Sequence, residues 1–189
     1  GSMGVGLYGY DNPAMLNVLH QPDLMLAWSD QYGKWNNPDR YGIFAAVPHL
    51  GFGVIHQPHP DYVATVSDYK LSTGFGSPSF SMGLSYGWSS GDTKIFKREN
   101  SFSLGYLVRP MRYVSLGLVG TAATAGGSRE GLADLALRPF GTERLTLFGD
   151  YAIQNKTPYD KAAWSAGAAV EAMPGIRLTA RYFDTKAFT

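Results

Sequence analysis

The sequence predicts an all-β chain: an up-and-down antiparallel β-barrel of the transmembrane type, of about 10–12 strands, with a short N-terminal helical segment. Three observations carry that expectation. Apolar residues alternate with small or polar ones over most of the chain. Tight connections and longer polar ones take turns along it. Charged residues make up only 16% of the 189, against 14% aromatics and 23 Gly, too little charge to cover an ordinary water-facing surface.

Residues 1–3, Gly1-Ser2-Met3, read as a cloning scar and stay outside the fold reasoning. Residues 4–21 form an N-terminal segment. Its stretch NPAMLNVLH, 12–20, predicts a short helix, capped by Asn12 and opened by Pro13. Residues 22–189 make the barrel. Strands are expected near 23–31, 40–47, 50–57 and 62–75, the last one broken or bent.

From there the pattern is cleaner. In 79–89, Phe80, Met82, Leu84, Tyr86 and Trp88 point one way, and Ser79, Ser81, Gly83, Ser85 and Gly87 the other. The same division runs through 101–109, 113–121, 132–138, 144–153, 162–172 and 176–183. About eleven strands result. Single-chain bacterial barrels are usually even-numbered, so an odd count means a miscounted strand, a fragment, or an unusual closure.

The tight connections are PHLG (48–51), GSP (76–78), RPMR (109–112), RPFGTE (138–143) and MPG (173–175). The longer ones are 31–40, 89–100, 124–130 and 154–161. In a meander this puts short turns at one end and long loops at the other, as in outer-membrane barrels.

Periodicity alone does not say which face is outside. Three details favour lipid on the apolar face. The polar face is mostly Ser, Gly, Thr and Ala rather than Lys and Glu. Strands of about ten residues suit a tilted bilayer crossing. Aromatics gather near apolar-face ends: Trp28, Tyr41, Tyr69, Phe80, Trp88, Tyr113, Trp164 and Tyr182.

Gly83-Leu84-Ser85-Tyr86-Gly87 matches the G-x-S-x-G pattern of serine hydrolases. A nucleophile elbow needs a helix after its strand, and here a strand end and a Gly-Ser loop follow. Ser85 is therefore expected as a small inward residue, and no catalytic residue is assigned. With no cysteine and four histidines, His56 and His59 are read as loop residues rather than metal ligands; His20 and His49 are the others. No metal or cofactor is expected. A net charge of +1 gives no reason to invoke nucleic acid.

The polar face carries Asp68, Lys70, Asp134, Asp150, Glu171, Arg177 and Arg181. In a barrel these line the lumen, either pairing with one another to plug it or setting a transverse field that filters solutes. The run 92–99, with Lys94, Lys97 and Arg98, reads as a solvated loop or as a contact for headgroups or a partner.

The stretch Tyr10-Asp11-Asn12-Pro13-Ala14-Met15-Leu16 resembles the N-terminal Asn-Pro-Ala motif of the FadL-like outer-membrane proteins, which include long-chain fatty-acid transporters and PorV-type barrels of protein secretion. LVRPMRYVSLGL and ALRPFGTERLTLFG are also similar to barrel regions fused to signal-peptide-peptidase-like domains. The resemblance implies a bacterial outer-membrane barrel with Asn12, Pro13 and Ala14 as plug residues and an outward path for hydrophobic ligands. The family has about fourteen strands where about eleven are counted here.

The leading expectation is thus an outer-membrane barrel that passes or binds a small hydrophobic solute, with a bilayer or detergent around it. Two alternatives stand beside it: a structural barrel docking a protein partner through its long loops, and a soluble lipid-binding barrel with its apolar face inward.

Overall fold

The computed structural model describes residues 9–29, 40–59, 63–127, 129–142, 144–155, 162–173 and 176–184. The chain opens with a 3-10 helix, Pro13–Val18, and continues into eleven strands. They are β1 (Asp23–Ser29), β2 (Arg40–Val47), β3 (Leu50–Pro58), β4 (Thr65–Gly76), β5 (Phe80–Gly91), β6 (Ser101–Met111), β7 (Val114–Ala123), β8 (Arg129–Leu137), β9 (Leu145–Gln154), β10 (Ala163–Met173) and β11 (Ile176–Phe183). Each strand pairs antiparallel with the next, giving one sheet in the order β1 to β11. Among the described residues, β1 and β11 are not hydrogen-bonded to each other.

The predicted helix is shorter and tighter than an α-helix. Asn12 caps it: its Oδ1 accepts from the Ala14 N–H at 3.0 Å, and Pro13 takes the first position, where its missing N–H costs nothing. The expected break in 62–75 is not there. Thr65–Gly76 pairs with β3 and β5 without a register shift. Its period of two is unbroken: Asp68 and Lys70 take places on the small-residue face with Val66, Ser72 and Gly74.

The connections alternate in part as the sequence predicts. Short ones follow β2, β4, β6 and β10, and longer ones β1, β5 and β9; the exception is 138–144 at the tight-turn end, which is longer than 59–64 after β3 and 124–128 after β7. The turn chemistry is local. His49 takes φ 71 in PHLG, and Gly141 takes φ 64 in RPFG, where its N–H donates to the Arg138 carbonyl at 2.8 Å. Pro110 cannot donate to the ladder, and the β6–β7 register shifts between Val108 and Met111 around it.

Burial runs opposite to that of a water-soluble sheet. Ser72, Ser81, Ser85, Ser103, Ser115, Asp134, Thr146 and Ser165 are buried. Leu24, Trp28, Phe52, Leu84, Phe102, Leu118, Trp164 and Leu178 are exposed. The small residues pack on one face, and the buried clusters under it are minor: Ala14, Met15 and Leu107 in one, Ala136, Phe148 and Ala169 in another.

Candidate functional site

The N-terminal segment lies on the small-residue face across β3 to β6. Three glycines make room for it. Gly74, Gly83 and Gly105 are direct cross-strand partners, so they form a row over β4, β5 and β6. A Cβ on Gly74 would come 2.6 Å from the Pro13 carbonyl oxygen, one on Gly83 2.5 Å from the Ala14 nitrogen, and one on Gly105 2.8 Å from Pro13 Cδ. Backbone can approach this closely only where no side chain stands between.

Polar contacts fix the segment's position. Asn12 Nδ2 donates to the Tyr106 carbonyl at 3.2 Å. Asn17 Nδ2 donates to Ser81 Oγ at 2.9 Å and to the Ser77 carbonyl at 3.2 Å. Ser72 Oγ donates to the Gly9 carbonyl at 2.6 Å, and Lys70 Nζ to the Tyr10 carbonyl at 2.9 Å. The Lys70 ammonium also stands 4.6 Å from the Tyr10 ring centroid, and that ring meets Phe44 edge-on at 5.0 Å. Asn12, Pro13 and Ala14 are all buried.

Charge on this segment is perturbed by its surroundings. Burial, with help from Asp68 and Asp11, pushes the Tyr10 phenol up to about 12, so it stays neutral. Asp11 keeps accessible surface but is crowded by protein. That crowding raises its carboxyl pKa above the ordinary range; Lys70 and Arg181 pull it back, and Asp134 pushes it further up. The small-residue face, buried where the apolar face is exposed, is the concave one.

The predicted lumen residues divide into separate groups. Asp68 accepts from Ser89 Oγ at 2.6 Å and Gln57 Nε2 at 3.3 Å, and pairs with Arg98 at 3.0 Å. Lys70 belongs to the N-terminal segment's seat. Asp150 pairs with Arg181 at 3.4 Å and accepts from Ser165 Oγ at 2.9 Å. Asp134 stands directly opposite Asp150 in the β8–β9 ladder and lies over Gly117. Glu171 is exposed near the tight-turn end, opposite Arg177 in register; the Arg177 side chain lies outside the described residues. Two carboxylates are therefore neighbours on one wall, and the Arg181 guanidinium on Asp150 also covers the Phe148 ring at 4.8 Å.

Sequence reasoning placed Arg98 in a solvated loop or a headgroup or partner contact; its side chain is exposed, and its guanidinium pairs with Asp68, a contact the sequence did not signal. It also missed the glycine row, whose signal was a glycine on the small-residue face of each of three consecutive strands. The loops at 31–40 and 154–161 fall largely outside the described residues, as does the scar at 1–3.

Ser85 lies mid-strand in a row of hydroxyls, Ser72, Ser85, Ser103 and Thr121. β5 runs on to Gly91, with a turn after it in place of a helix. His56 Nδ1 is 2.9 Å from Ser67 Oγ and its ring stacks on Tyr41, while His59 meets Phe96 edge-on. Among the described residues, no three of His, Asp and Glu converge as a metal site would require.

The convex face has its own order. Aromatics gather at the strand ends that lead into the long loops: Trp28 opposite Tyr41, Tyr69 opposite Trp88, Tyr86 opposite Phe102, and Tyr151 opposite Trp164. Tyr69 and Trp88 stack at 5.4 Å, and Trp164 and Tyr182 stand 5.9 Å apart. Phe80 and Tyr113 lie toward the other end. Between them, Leu24, Leu50, Phe52 and Leu71 line an apolar groove of about 410 Å³. Comparisons with protein-family models, with curated proteins and with solved structures found no match.

Proposed function

We propose that this chain is a bacterial outer-membrane β-barrel that passes or binds a small hydrophobic solute. One observation carries the reading: small and polar side chains are buried while large apolar ones cover the convex face from Leu24 on β1 to Tyr182 on β11. A soluble monomer rarely exposes an apolar patch beyond roughly 300–600 Å², and this band spans the sheet. The soluble lipid-binding alternative needs the large residues on the inner face, so the same burial argues against it.

Dimensions support the reading. The 12 residues of β5 extend about 37 Å at ~3.4 Å per residue. At the usual tilt of about 40° they cross roughly 28 Å, close to the apolar band of such barrels. The aromatic belt at the long-loop ends fits a membrane–water interface.

The test is migration on SDS gels, heated against unheated, after refolding into micelles, followed by liposome swelling and fatty-acid binding. A folded membrane barrel resists SDS cold and shifts on boiling. No shift, with a monodisperse protein in the absence of detergent, overturns the proposal.

The N-terminal segment filling the concave face under β4 to β6 favours a second reading, a sealed barrel that docks a protein through its long loops. Inert liposomes, with partner capture that survives neutralising the lumen charges, would select it over transport.

A further inference from the structure

The long-loop end holds a compact body that the reading above does not use. After Gly91, which takes φ 102, residues 92–98 fold on themselves. The Phe96 N–H donates to the Asp92 carbonyl at 3.3 Å, the Lys97 N–H to the Lys94 carbonyl at 3.3 Å and the Arg98 N–H to the Thr93 carbonyl at 2.9 Å. Backbone bonds tie both feet of this body to neighbouring strands. At one foot the Asp92 N–H donates to the Thr65 carbonyl at 2.9 Å, and Asp92 Oδ2 accepts from the Thr65 N–H at 3.0 Å. At the other the Thr124 N–H donates to the Asn100 carbonyl at 2.8 Å. Movement of the body is therefore a pivot on two fixed feet.

Arg98 reaches from the body to the concave face, where it pairs with Asp68 at 3.0 Å. Phe96 meets His59 edge-on at 5.3 Å. Asp68 is the next inward position beyond Lys70 on β4, about 7 Å along the strand toward the long loops. Lys70 shares its cross-strand row with Gly87 and Ser101, and its ammonium holds the Tyr10 carbonyl. The ion pair thus stands at the mouth of the concave face, beside the seat of the N-terminal segment.

The pair can part at small cost. Asp68 keeps Ser89 Oγ at 2.6 Å and Gln57 Nε2 at 3.3 Å when Arg98 leaves, so no carboxylate is stranded. The Arg98 side chain is already 41% exposed and moves into water. An ion pair this open shifts an equilibrium by about two- to fivefold.

We propose that residues 92–99 form a pivoting lid over the long-loop mouth of the concave face, latched shut by Arg98 on Asp68. Shut, the lid covers the inward row of Lys70, Gly87 and Ser101. Open, it admits solvent and small molecules to the seat of the N-terminal segment. Ionic strength works the latch, because added salt screens a solvent-accessible pair. The inference concerns access to the concave face and holds whether or not a solute passes through it.

The test uses the full chain folded in neutral detergent micelles, with Ser101→Cys as the sole thiol, since the chain has no cysteine of its own. The rate of reaction with an uncharged polyethylene-glycol maleimide is read relative to Lys94→Cys on the exposed lid. Ionic strength is raised from about 0.01 M to about 1 M, which shortens the Debye length from about 30 Å to about 3 Å. The rate at Ser101→Cys should rise about two- to fivefold. With Arg98→Gln added it should be fast at both salt concentrations, and Arg98→Lys, which keeps the charge, should restore the slow rate and its salt response. Arg98 is exposed, so these variants fold.

A labelling response with flat conductance in planar bilayers supports the lid and counts against transport. A rate unchanged by Arg98→Gln, or a salt response that persists in that variant, overturns the lid whatever the conductance shows.

Discussion

Pro13 rests directly on Gly83: a Cβ at that glycine would fall within contact distance of the Pro13 carbonyl group and 2.5 Å from the Ala14 nitrogen. Gly83→Val should therefore expel the N-terminal segment, because backbone on both sides has nowhere to move. Limited proteolysis should cleave the variant near residues 12–18 at least tenfold faster than the parent. Gly131→Ala is the control. A Cβ there meets nothing within 4 Å, so stability should hold or rise by about 0.4–1 kcal/mol. Equal effects at both positions would deny the seat.

Asn12→Ala removes a helix cap and the bond to the Tyr106 carbonyl in a buried place. A loss of about 1–2 kcal/mol is expected in denaturant unfolding. The exposed partner Thr73, whose hydroxyl donates to the His49 carbonyl, should cost clearly less when changed to Ala.

Docking of the segment should respond to pH through Asp11. Burial raises its carboxyl pKa in the docked state, so the docked state holds the proton more tightly. The docking penalty is absent below the ordinary carboxylate value and is complete above the raised one. Docking thus strengthens as pH falls through that window. Hydrogen exchange of residues 12–18, corrected for the intrinsic pH effect, should show more protection in mild acid. Asp11→Asn should abolish the dependence. A pH response that survives in Asp11→Asn would assign it elsewhere.

Arg181→Gln removes the guanidinium partner of Asp150 beside Asp134. Both partners retain solvent contact, at 38% and 20% exposure, so the stability cost should stay below about 1 kcal/mol. If solute passes this wall, the reversal potential in planar bilayers should move toward cation preference. An unchanged potential would mean that current does not run along β8 to β11.

β1 and β11 both run from the tight-turn end to the long-loop end, as odd-numbered strands of one meander must. Direct closure would therefore be parallel, and antiparallel closure needs an odd number of further strands. In lipid an uncovered edge costs several kcal/mol per unpaired group. Cysteines at Ala27 and Thr179, both on the concave side, should cross-link within one molecule in micelles, allowing a residue or two of register. Failure across neighbouring registers would point to a strand inserted between them.

The strands were legible because the period of two reflects a local property: successive side chains of an extended chain point to opposite faces. It predicted all eleven, β4 included, although a break or bend was expected there. Asn12 and Pro13 announced the helix start in the same local way. Tertiary structure alone decided what depends on register and curvature. Gly74, Gly83 and Gly105 are far apart in sequence and become a seat only when three strands align them. Arg109 on β6, Arg112 in the turn after it and Arg138 after β8 meet because both hairpins turn at one end. Arg98 finds Asp68 because its loop folds back over β4. The direction in which the sheet curls is equally non-local, and that curl buries serines and leaves leucines outside.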